Sequence, residues 1–215
     1  MDLARMRLEY ESEGIDQGSL AADPIIVFRD WLRTAVEAEV TEPNAMVVST
    51  VDSSGQPWSR HLLLKGVSEN GGFDFFTNYE SLKSAHLGEN PKACVTFGWL
   101  ELRRQVSIAG SVHKVPAAES DQYWAQRPRL SQIGALASRQ SSQALSRREI
   151  DERFAQAEAQ HQNQPTIPRP AFWGGWRLIP RSVEFWQGRP NRLHDRIRYD
   201  REAEGKVWNQ VRLDP

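Results

Sequence analysis

The 215-residue sequence is poor in cysteine, in long apolar runs and in net charge. Its single cysteine, Cys94, excludes an intrachain disulfide and predicts a reducing compartment. The charged N-terminus lacks the apolar core of a signal peptide, and no stretch approaches the roughly 18 apolar residues of a membrane span. The 27 basic residues are balanced by 28 acidic ones, which argues against a nonspecific nucleic-acid binder. We therefore expect a cytoplasmic protein without nucleic-acid or membrane partners.

Several common catalytic motifs are also missing. The chain has no glycine-rich dinucleotide loop, P-loop, Cys-x-x-Cys pair or Gly-x-Ser-x-Gly elbow. Its five histidines are scattered, so their spacing predicts no metal site. What remains are clusters of arginine, lysine and hydroxyl side chains, the groups that bind phosphate in the absence of a P-loop. The sequence therefore favours sites for small anions, with more than one phosphate.

The periodicity predicts a mainly β fold with flanking helices. We expect a mobile polar arm over residues 1–20 and a single domain over residues 21–215. Asp23 and Pro24 have the types expected at the start of a helix. The β-rich runs that follow predict an antiparallel meander and five strands between about residues 45 and 115, with further strands near the C-terminus. Five or six such strands suit a small closed barrel.

Further helices are predicted between the strands. A short helix covers "SLKSAHLGEN", and Pro116 is placed to begin another through "AAESDQYWAQ". Ser146 and Glu149 have the spacing of a capping box at the start of "SRREIDERFAQAEAQHQ", which is charged nearly all round and therefore peripheral. Between these two helices lies "RPRLSQIGALASRQSSQ", for which we predict only a polar segment.

The stretch "WQGRPNRLHDRIRY" concentrates four arginines and a histidine within ten residues. If "RLHDRIRY" is a strand, its period of two places Arg192, His194, Arg196 and Arg198 on one face. One interpretation is a solvated edge strand, because basic residues on edges oppose aggregation. The other is an anion site.

The order of motifs along the chain resembles the pyridoxamine 5′-phosphate oxidase family. The motifs are "RHLLLK", "FFTNYESLK", "RRQV", "YWAQRPRLSQIGALASRQSS", "FWGGWR" and "EFWQGRPNRLHDRIRYDR", and the likeness covers nearly the whole chain. It implies an FMN-binding split β-barrel of the Greek-key type, with about six strands, that forms a homodimer with two FMN sites across the interface. It also implies oxidation of pyridoxamine or pyridoxine 5′-phosphate by O2 to pyridoxal 5′-phosphate and H2O2, with ammonia released from the amine. The anion-site interpretation is then favoured.

The resemblance also implies roles for individual residues. The expected flavin ligands are Arg60, Leu64, Lys65, Phe76, Thr77, Lys83, Gln105, Gln140, Ser141, Trp186 and Arg196. The expected substrate ligands are Lys65, Tyr123, Arg127, Ser131, Arg192, Leu193 and His194, with Arg7 and Tyr10 as a lid. Arg192 and His194 are expected to lie nearest the reacting atoms, and no metal is expected.

One position departs from the family pattern. This chain has Ser81-Leu82-Lys83 where the family usually carries Ser-Arg-Lys, and that arginine belongs to the FMN phosphate cluster. Loss of one charge-assisted contact predicts FMN binding weaker by about 1.5 to 3 kcal/mol, unless another basic group substitutes.

Alternatives stay open for individual residues and for the function. Arg60 and Lys65 are five residues apart, so both reach one flavin only if a bulge intervenes or the site lies at the strand's end. Tyr123 also suits a core aromatic, Arg127 a surface charge and His194 a simple hydrogen-bonding role. Other functions are a flavin oxidase of a non-phosphorylated, phenazine-type ring, or a flavin- or pyridoxal-phosphate-binding protein without catalysis.

Overall fold

Nine strands and five α-helices lie in the part of the chain that this computed structural model describes, residues 1–5, 10, 12, 14–201 and 207–215. The strands are Ala45–Val51 (β1), Pro57–Leu63 (β2), Gly66–Val67 (β3), Phe73–Asn78 (β4), Lys92–Trp99 (β5), Arg104–Lys114 (β6), Trp173–Gln187 (β7), Asp195–Asp200 (β8) and Asn209–Leu213 (β9). The helices are Pro24–Glu37 (α1), Leu82–Glu89 (α2), Ala117–Gln126 (α3), Arg129–Ala137 (α4) and Arg147–His161 (α5). No helix in these ranges is long and apolar enough to cross a membrane.

The strands form one antiparallel sheet that curls round on itself. Its order is β2-β1-β5-β6-β7-β4-β3, with β8 beside β7 and β9 beside β8. The two ends of this order, β2 and β3, are separated in the chain only by Leu64 and Lys65, so the sheet closes into a barrel. The mainly β prediction and the meander of the first strands are confirmed.

One run that we predicted as a single strand is two. "WSRHLLLKGV" pairs with β1 as far as Leu63 and with β4 from Gly66 onward. At the corner, the Leu64 N–H donates to the Asn44 carbonyl, whereas the Lys65 N–H donates to the Asp74 carbonyl, each at 2.8 Å. The change of partner at this corner raises the count between residues 45 and 115 from five to six strands.

Helix α1 begins as predicted and buries an aromatic face. The Asp23 carboxylate accepts from the Ile25 N–H at 2.8 Å, and Pro24 is the first helical residue. The Phe28 ring packs 4.9 Å from Phe73 and 5.0 Å from Phe97, so the helix covers the apolar interior of the barrel.

The helices that follow β6 form a smaller core. The predicted N-cap of α5 is confirmed, because Ser146 Oγ accepts from the Glu149 N–H. The reciprocal bond of a capping box is displaced by one residue, since Glu149 Oε2 accepts from the Leu145 N–H. Only Ala157 of α5 is buried. The polar segment before it was predicted without an element, and that was wrong, since it contains α4. Ile133 is its one fully buried apolar residue, while Ala135, Leu136 and Ala137 pack half-buried against the same core, which is why its pattern is weak.

The cationic stretch near the C-terminus is only partly a strand. Residues Pro190–Arg192 form a 3-10 turn, and Asn191 and Arg192 have φ values of 57° and 60°. Strand β8 begins at Asp195 and buries Asp195, Ile197 and Tyr199. The predicted four-residue cationic face is therefore wrong for Arg192 and His194, because this turn precedes the strand.

Tyr10, Ser12 and Ile15 of the N-terminal arm contact the barrel. Ile15 is buried in the main core, and Ser12 Oγ donates to the Gly188 carbonyl at 2.6 Å. The Tyr199 hydroxyl donates to the Ala21 carbonyl at 2.9 Å. The mobility of the arm and a boundary at residue 20 stay predictions.

Candidate active site

A buried lysine in the first turn of α2 is surrounded by neutral oxygen atoms. Lys83 is 6% exposed, and its Nζ donates to Thr77 Oγ1 at 2.9 Å, Ser81 Oγ at 3.0 Å and Gln140 Oε1 at 2.6 Å. Burial, followed by the charge of Arg60, lowers the pKa of Lys83 to about 8. The positive partial charge of the helix N-terminus also disfavours a lysine here and favours an anion.

Arg60 supplies a second cation beside Lys83. Its Nη1 donates to Thr50 Oγ1 at 2.8 Å and to two backbone carbonyls, and burial lowers its pKa. Across the described ranges, neither Arg60 nor Lys83 has a carboxylate within ion-pair distance. We define the cationic cluster as Arg60, Thr77, Ser81, Lys83 and Gln140. Buried cations without a countercharge mark a site that an anion stabilises.

A second group of polar residues opens from the same region. One cavity of about 630 Å³ is lined by Lys65, Tyr123, Arg127 and Ser131, among others. A neighbouring cavity of about 370 Å³ shares Arg127 and Ser131 with it and also touches Thr77 and Gln140. The two cavities therefore connect the cationic cluster with a second basic site. We call Lys65, Tyr123, Arg127 and Ser131 the basic pocket.

Aromatic rings form the wall of the basic pocket. The Phe76 and Tyr123 rings stack at 4.0 Å, and Arg127 Cζ lies 4.7 Å from the centre of the Trp173 ring. Arg127 Nη2 donates to the Ser131 carbonyl at 3.0 Å, whereas its buried Nε has no hydrogen-bond partner among the residues described. A guanidinium with a free, buried N–H is poised to bind an anion.

The predicted catalytic residues, Arg192 and His194, lie just after β7, away from both the cationic cluster and the basic pocket. Trp186 and His194 have ring centres 4.7 Å apart, and the Tyr10 ring lies 5.8 Å from His194 and 6.1 Å from Trp186. The backbone N–H of Arg189 donates to His194 Nδ1 at 3.0 Å, so the other ring nitrogen carries the proton in the neutral form. We define the C-terminal group as Tyr10, Gln105, Trp186, Arg192, Leu193, His194 and Arg196.

The C-terminal group is far from the cationic cluster within one chain. Phe76 pairs with Gly175 at the start of β7, whereas Gln105 pairs with Trp186 at its end. These positions are 11 residues apart (186 minus 175), which corresponds to roughly 35 Å along a strand. No hydrogen bond or ring contact within the described part of the chain joins the two groups. Within one chain, the cluster residues on β4 are therefore not in contact with the C-terminal group.

Comparisons with known proteins identify the family. Residues 32–161 match the family described as Pyridoxamine 5'-phosphate oxidase, and residues 173–215 match the Pyridoxine 5'-phosphate oxidase C-terminal dimerisation region. A Pyridoxine/pyridoxamine 5'-phosphate oxidase from Cupriavidus pinatubonensis is 48% identical over 213 residues, or 99% of each chain. Its namesake from Rubrobacter xylanophilus is 48% identical over 214 residues, covering 100% of this chain and 97% of that one. The chain belongs to the pyridoxamine 5′-phosphate oxidase family.

Solved structures support this membership in a family of oxidoreductases. PhzG from Burkholderia lata 383, in complex with tetrahydrophenazine-1-carboxylic acid, has a TM-score of 0.87 and 30% identity, covering 94% of this chain and 98% of that one. An FMN binding protein from Nostoc punctiforme, related to pyridoxamine 5'-phosphate oxidase, has a TM-score of 0.74 at 16% identity, covering 91% and 100%. The latter shows the fold alone. The predicted split-barrel fold is confirmed.

The other residues expected to bind flavin or substrate differ in exposure and backbone conformation. Leu64 is 5% exposed at the barrel corner, Gln105 is exposed, and Ser141 has a left-handed φ of 72°. Arg7 lies outside the described residues. Lys65 follows the end of β2, so the alternation of strand faces that applies to Arg60 does not extend to it. That both residues reach one flavin stays a prediction.

The departure at Leu82 lies at the edge of the cationic cluster. Leu82 is the first residue of α2 and is 43% exposed, a large exposure for an apolar side chain. Arg60 and Lys83 remain as the two cations beside it.

Two partners of the site were not predicted from the sequence. Ser81 accepts from Lys83, and Glu184 holds Arg196 through both carboxylate oxygens at 2.8 and 3.2 Å. A search for the countercharges and acceptors of the conspicuous basic residues would have pointed to both, since buried polar groups are paired.

Proposed function

We propose that this chain is an FMN-dependent oxidase that converts pyridoxamine or pyridoxine 5′-phosphate, with O2, to pyridoxal 5′-phosphate and H2O2. When the amine is the substrate, one water hydrolyses the oxidised product and ammonia is released. The observation that carries the proposal is the pair of connected anion sites, the cationic cluster and the basic pocket. A flavin mononucleotide and a phosphorylated pyridine each bring one phosphate, which accounts for both sites.

The cationic cluster suits the phosphate of FMN. Lys83 and Arg60 provide charge, while Thr77, Ser81 and Gln140 provide hydrogen-bonding groups around Lys83 Nζ. A phosphate dianion supplies the missing countercharge, so the fit rests on the absence of a carboxylate partner within the described residues. When bound, FMN supplies the acceptor for the two electrons of the oxidation and their transfer to O2.

The basic pocket suits the phosphate of the substrate. Arg127 has a free Nε, and Lys65, Tyr123 and Ser131 line the same cavity. Anchoring the phosphate there fixes the position of the pyridine ring and reduces the entropy lost at the reactive step. The stack of Phe76 on Tyr123 gives the cavity a rigid aromatic wall.

A second copy of the chain completes the site in this proposal. The C-terminal group makes no contact with the β4 residues of the cationic cluster in its own chain. All of its members except Tyr10 and Gln105 lie in the region that matches the dimerisation description. Across a two-fold interface, each copy contributes one half to each of two sites. Arg192 and His194 then cover the pyridine ring, placing positive charge and a proton-carrying imidazole beside it.

Oxygen uptake and product formation test this proposal. The protein, reconstituted with excess FMN, is expected to convert pyridoxine 5′-phosphate to pyridoxal 5′-phosphate with one H2O2 per turnover. Bound FMN without oxygen uptake would contradict an oxidase of these substrates and favour a binding protein. Unchanged kcat/KM in both Arg192→Leu and His194→Ala would remove the catalytic assignment of these two residues.

A phenazine-type substrate is the second candidate, because the PhzG structure is 30% identical over 94% of this chain. The basic pocket argues against this substrate, since a carboxylated ring without a phosphate leaves Arg127 and Lys65 without a phosphate oxygen to bind. Faster oxidation of a carboxylated, non-phosphorylated tricyclic ring than of pyridoxine 5′-phosphate would establish this alternative.

A further inference from the structure

Asp195 is a buried carboxylate between His194 and Arg196. It is 7% exposed and is the first residue of β8. Its Oδ2 accepts from the Ile15 N–H at 2.9 Å and from Arg189 Nη1 at 3.2 Å, and its Oδ1 accepts from Arg212 Nη1. Donors from the N-terminal segment, the loop after β7 and the last strand β9 therefore meet on one carboxylate.

Arg189 connects this carboxylate with the imidazole of His194. Its side chain donates to Asp195, and its backbone N–H donates to His194 Nδ1 at 3.0 Å. The position of Arg189 therefore sets the orientation and the tautomer of His194.

The N-terminal segment is fitted closely to the same point. Gly14 has φ of +84°, and a Cβ atom there would lie 2.5 Å from Asp195 Oδ2 and 2.4 Å from Arg189 Nη1. Only glycine permits this approach without displacing the ion pair. Arg212 Nη2 also donates to the Ile15 carbonyl at 3.0 Å, so β9 holds the segment from its other side.

We propose that Asp195 is a positioning residue that ties Gly14, Ile15 and β9 to the loop carrying Arg192 and His194. Burial opposes its ionisation, but the hydrogen bonds from Ile15, Arg212 and Arg189 outweigh burial and hold the pKa of Asp195 below its ordinary value. The carboxylate is therefore charged at neutral pH. The kinetic consequence of this proposal rests on the proposed oxidase function, whereas its structural consequence does not.

Hydrogen exchange of the FMN-loaded protein tests the structural consequence. Asp195→Asn replaces an acceptor oxygen with an NH2 group facing arginine donors. We expect faster exchange only in peptides covering residues 14–20, 188–194 and 209–213. The matched control is Asp200→Asn, on the same strand, whose carboxylate pairs with Arg198 at 2.7 Å and is 41% exposed. Equal exchange of these peptides in Asp195→Asn, Asp200→Asn and the unsubstituted protein would overturn the proposal.

Steady-state kinetics test whether the hydrogen bonds of Asp195 affect the reaction. Asp195→Asn is expected to lower kcat with pyridoxine 5′-phosphate on the order of 10- to 100-fold, because the displaced residues act on the ring. The affinity for pyridoxal 5′-phosphate is expected to change little, since the basic pocket is untouched. Normal kcat with loosened peptides would overturn the positioning role. No oxidation by the unsubstituted protein would instead refute the proposed function, and exchange alone would then decide the structural claim.

A second variant covers the case in which Asp195→Asn fails to fold. Arg189→Ala removes the link to the loop and leaves the bond between Ile15 and Asp195 intact. Exchange is expected to rise in residues 188–194 while the Ile15 amide stays protected. The value of kcat is expected to fall, but by less than in Asp195→Asn. Unchanged exchange and unchanged kcat in Arg189→Ala would overturn the proposal.

Discussion

The cationic cluster and the C-terminal group hold their positive charges in opposite ways. In the cluster, Lys83 is buried and contacts only neutral oxygens. In the C-terminal region two arginines are paired inside the chain: Arg196 with Glu184, and Arg189 with Asp195. A buried cation without a partner is destabilising until an anion arrives, whereas a paired cation is fixed in place beforehand. We therefore expect Lys83 to bind an anion directly, and the ion-paired arginines to have a fixed orientation before any ligand binds.

Among these substitutions, Lys83→Met is expected to have the largest effect on FMN affinity. Loss of a charge-assisted bond to phosphate predicts FMN affinity lower by roughly 10- to 100-fold. The stability of the apoprotein is expected to stay or to rise, because an unpaired buried charge is removed. FMN fluorescence titration and thermal unfolding measure the two quantities. Lys114→Met, which removes an exposed lysine lying over Tyr79, is the control.

Arg127 and Arg129 offer a matched pair on either side of Pro128. Arg127 lines the cavity, whereas Arg129 Nη2 donates to the His161 carbonyl on α5. Arg127→Met is expected to raise KM for pyridoxine 5′-phosphate by about tenfold or more, and Arg129→Met is expected to leave KM near its starting value. Steady-state kinetics decide, and equal effects of the two changes would contradict the basic pocket.

FMN affinity is expected to depend on pH through Lys83. The pKa of Lys83 is about 8 without ligand, and a bound phosphate dianion raises it, so binding takes up a proton above pH 8. Affinity is therefore fully present below pH 8 and falls by about tenfold between pH 7 and pH 9. Titrations of the apoprotein at both values test this. Lys83→Arg keeps its charge over this range and is expected to make FMN affinity nearly independent of pH. The same pH dependence in both proteins would mean that a group other than Lys83 causes it.

The smallest effect is expected at Leu82. Leu82→Arg restores the family pattern beside the cluster and is expected to strengthen FMN binding by about tenfold or less, given the exposure of this position. Leu82→Met, at the same position without charge, is the control. If both variants bind FMN alike, the arginine has no role here and the two remaining cations suffice.

The sequence predicted the elements whose signals are local. Asp23 and Pro24 mark the start of α1, and Ser146 and Glu149 mark that of α5, because caps depend on a few neighbouring residues. Helix α4 was missed since Ile133 is almost alone in its buried face. The start of β8 was misplaced because left-handed residues 191 and 192 interrupt the pattern in a way that periodicity does not register.

The site was predictable as a set of residues and not as an arrangement. Family motifs brought Lys83 and Arg127 to attention, and the structure connects them through Thr77 and Gln140, which bind Lys83 and line a cavity with Arg127. The separation of His194 from them depends on where β4 and β8 pair along β7. Such pairings join residues distant in sequence, so no local pattern encodes them.

Subunit mixing tests the central claim most directly, that one site is built from the cationic cluster of one chain and the C-terminal group of another. Lys83→Met and His194→Ala chains are co-expressed, and the mixed dimers are assayed for oxidation of pyridoxine 5′-phosphate at limiting FMN. Each mixed dimer holds one site with both substitutions and one with neither, so an equal mixture is expected to recover about a quarter of the unsubstituted activity. No recovery above the separate variants would contradict a site shared between chains.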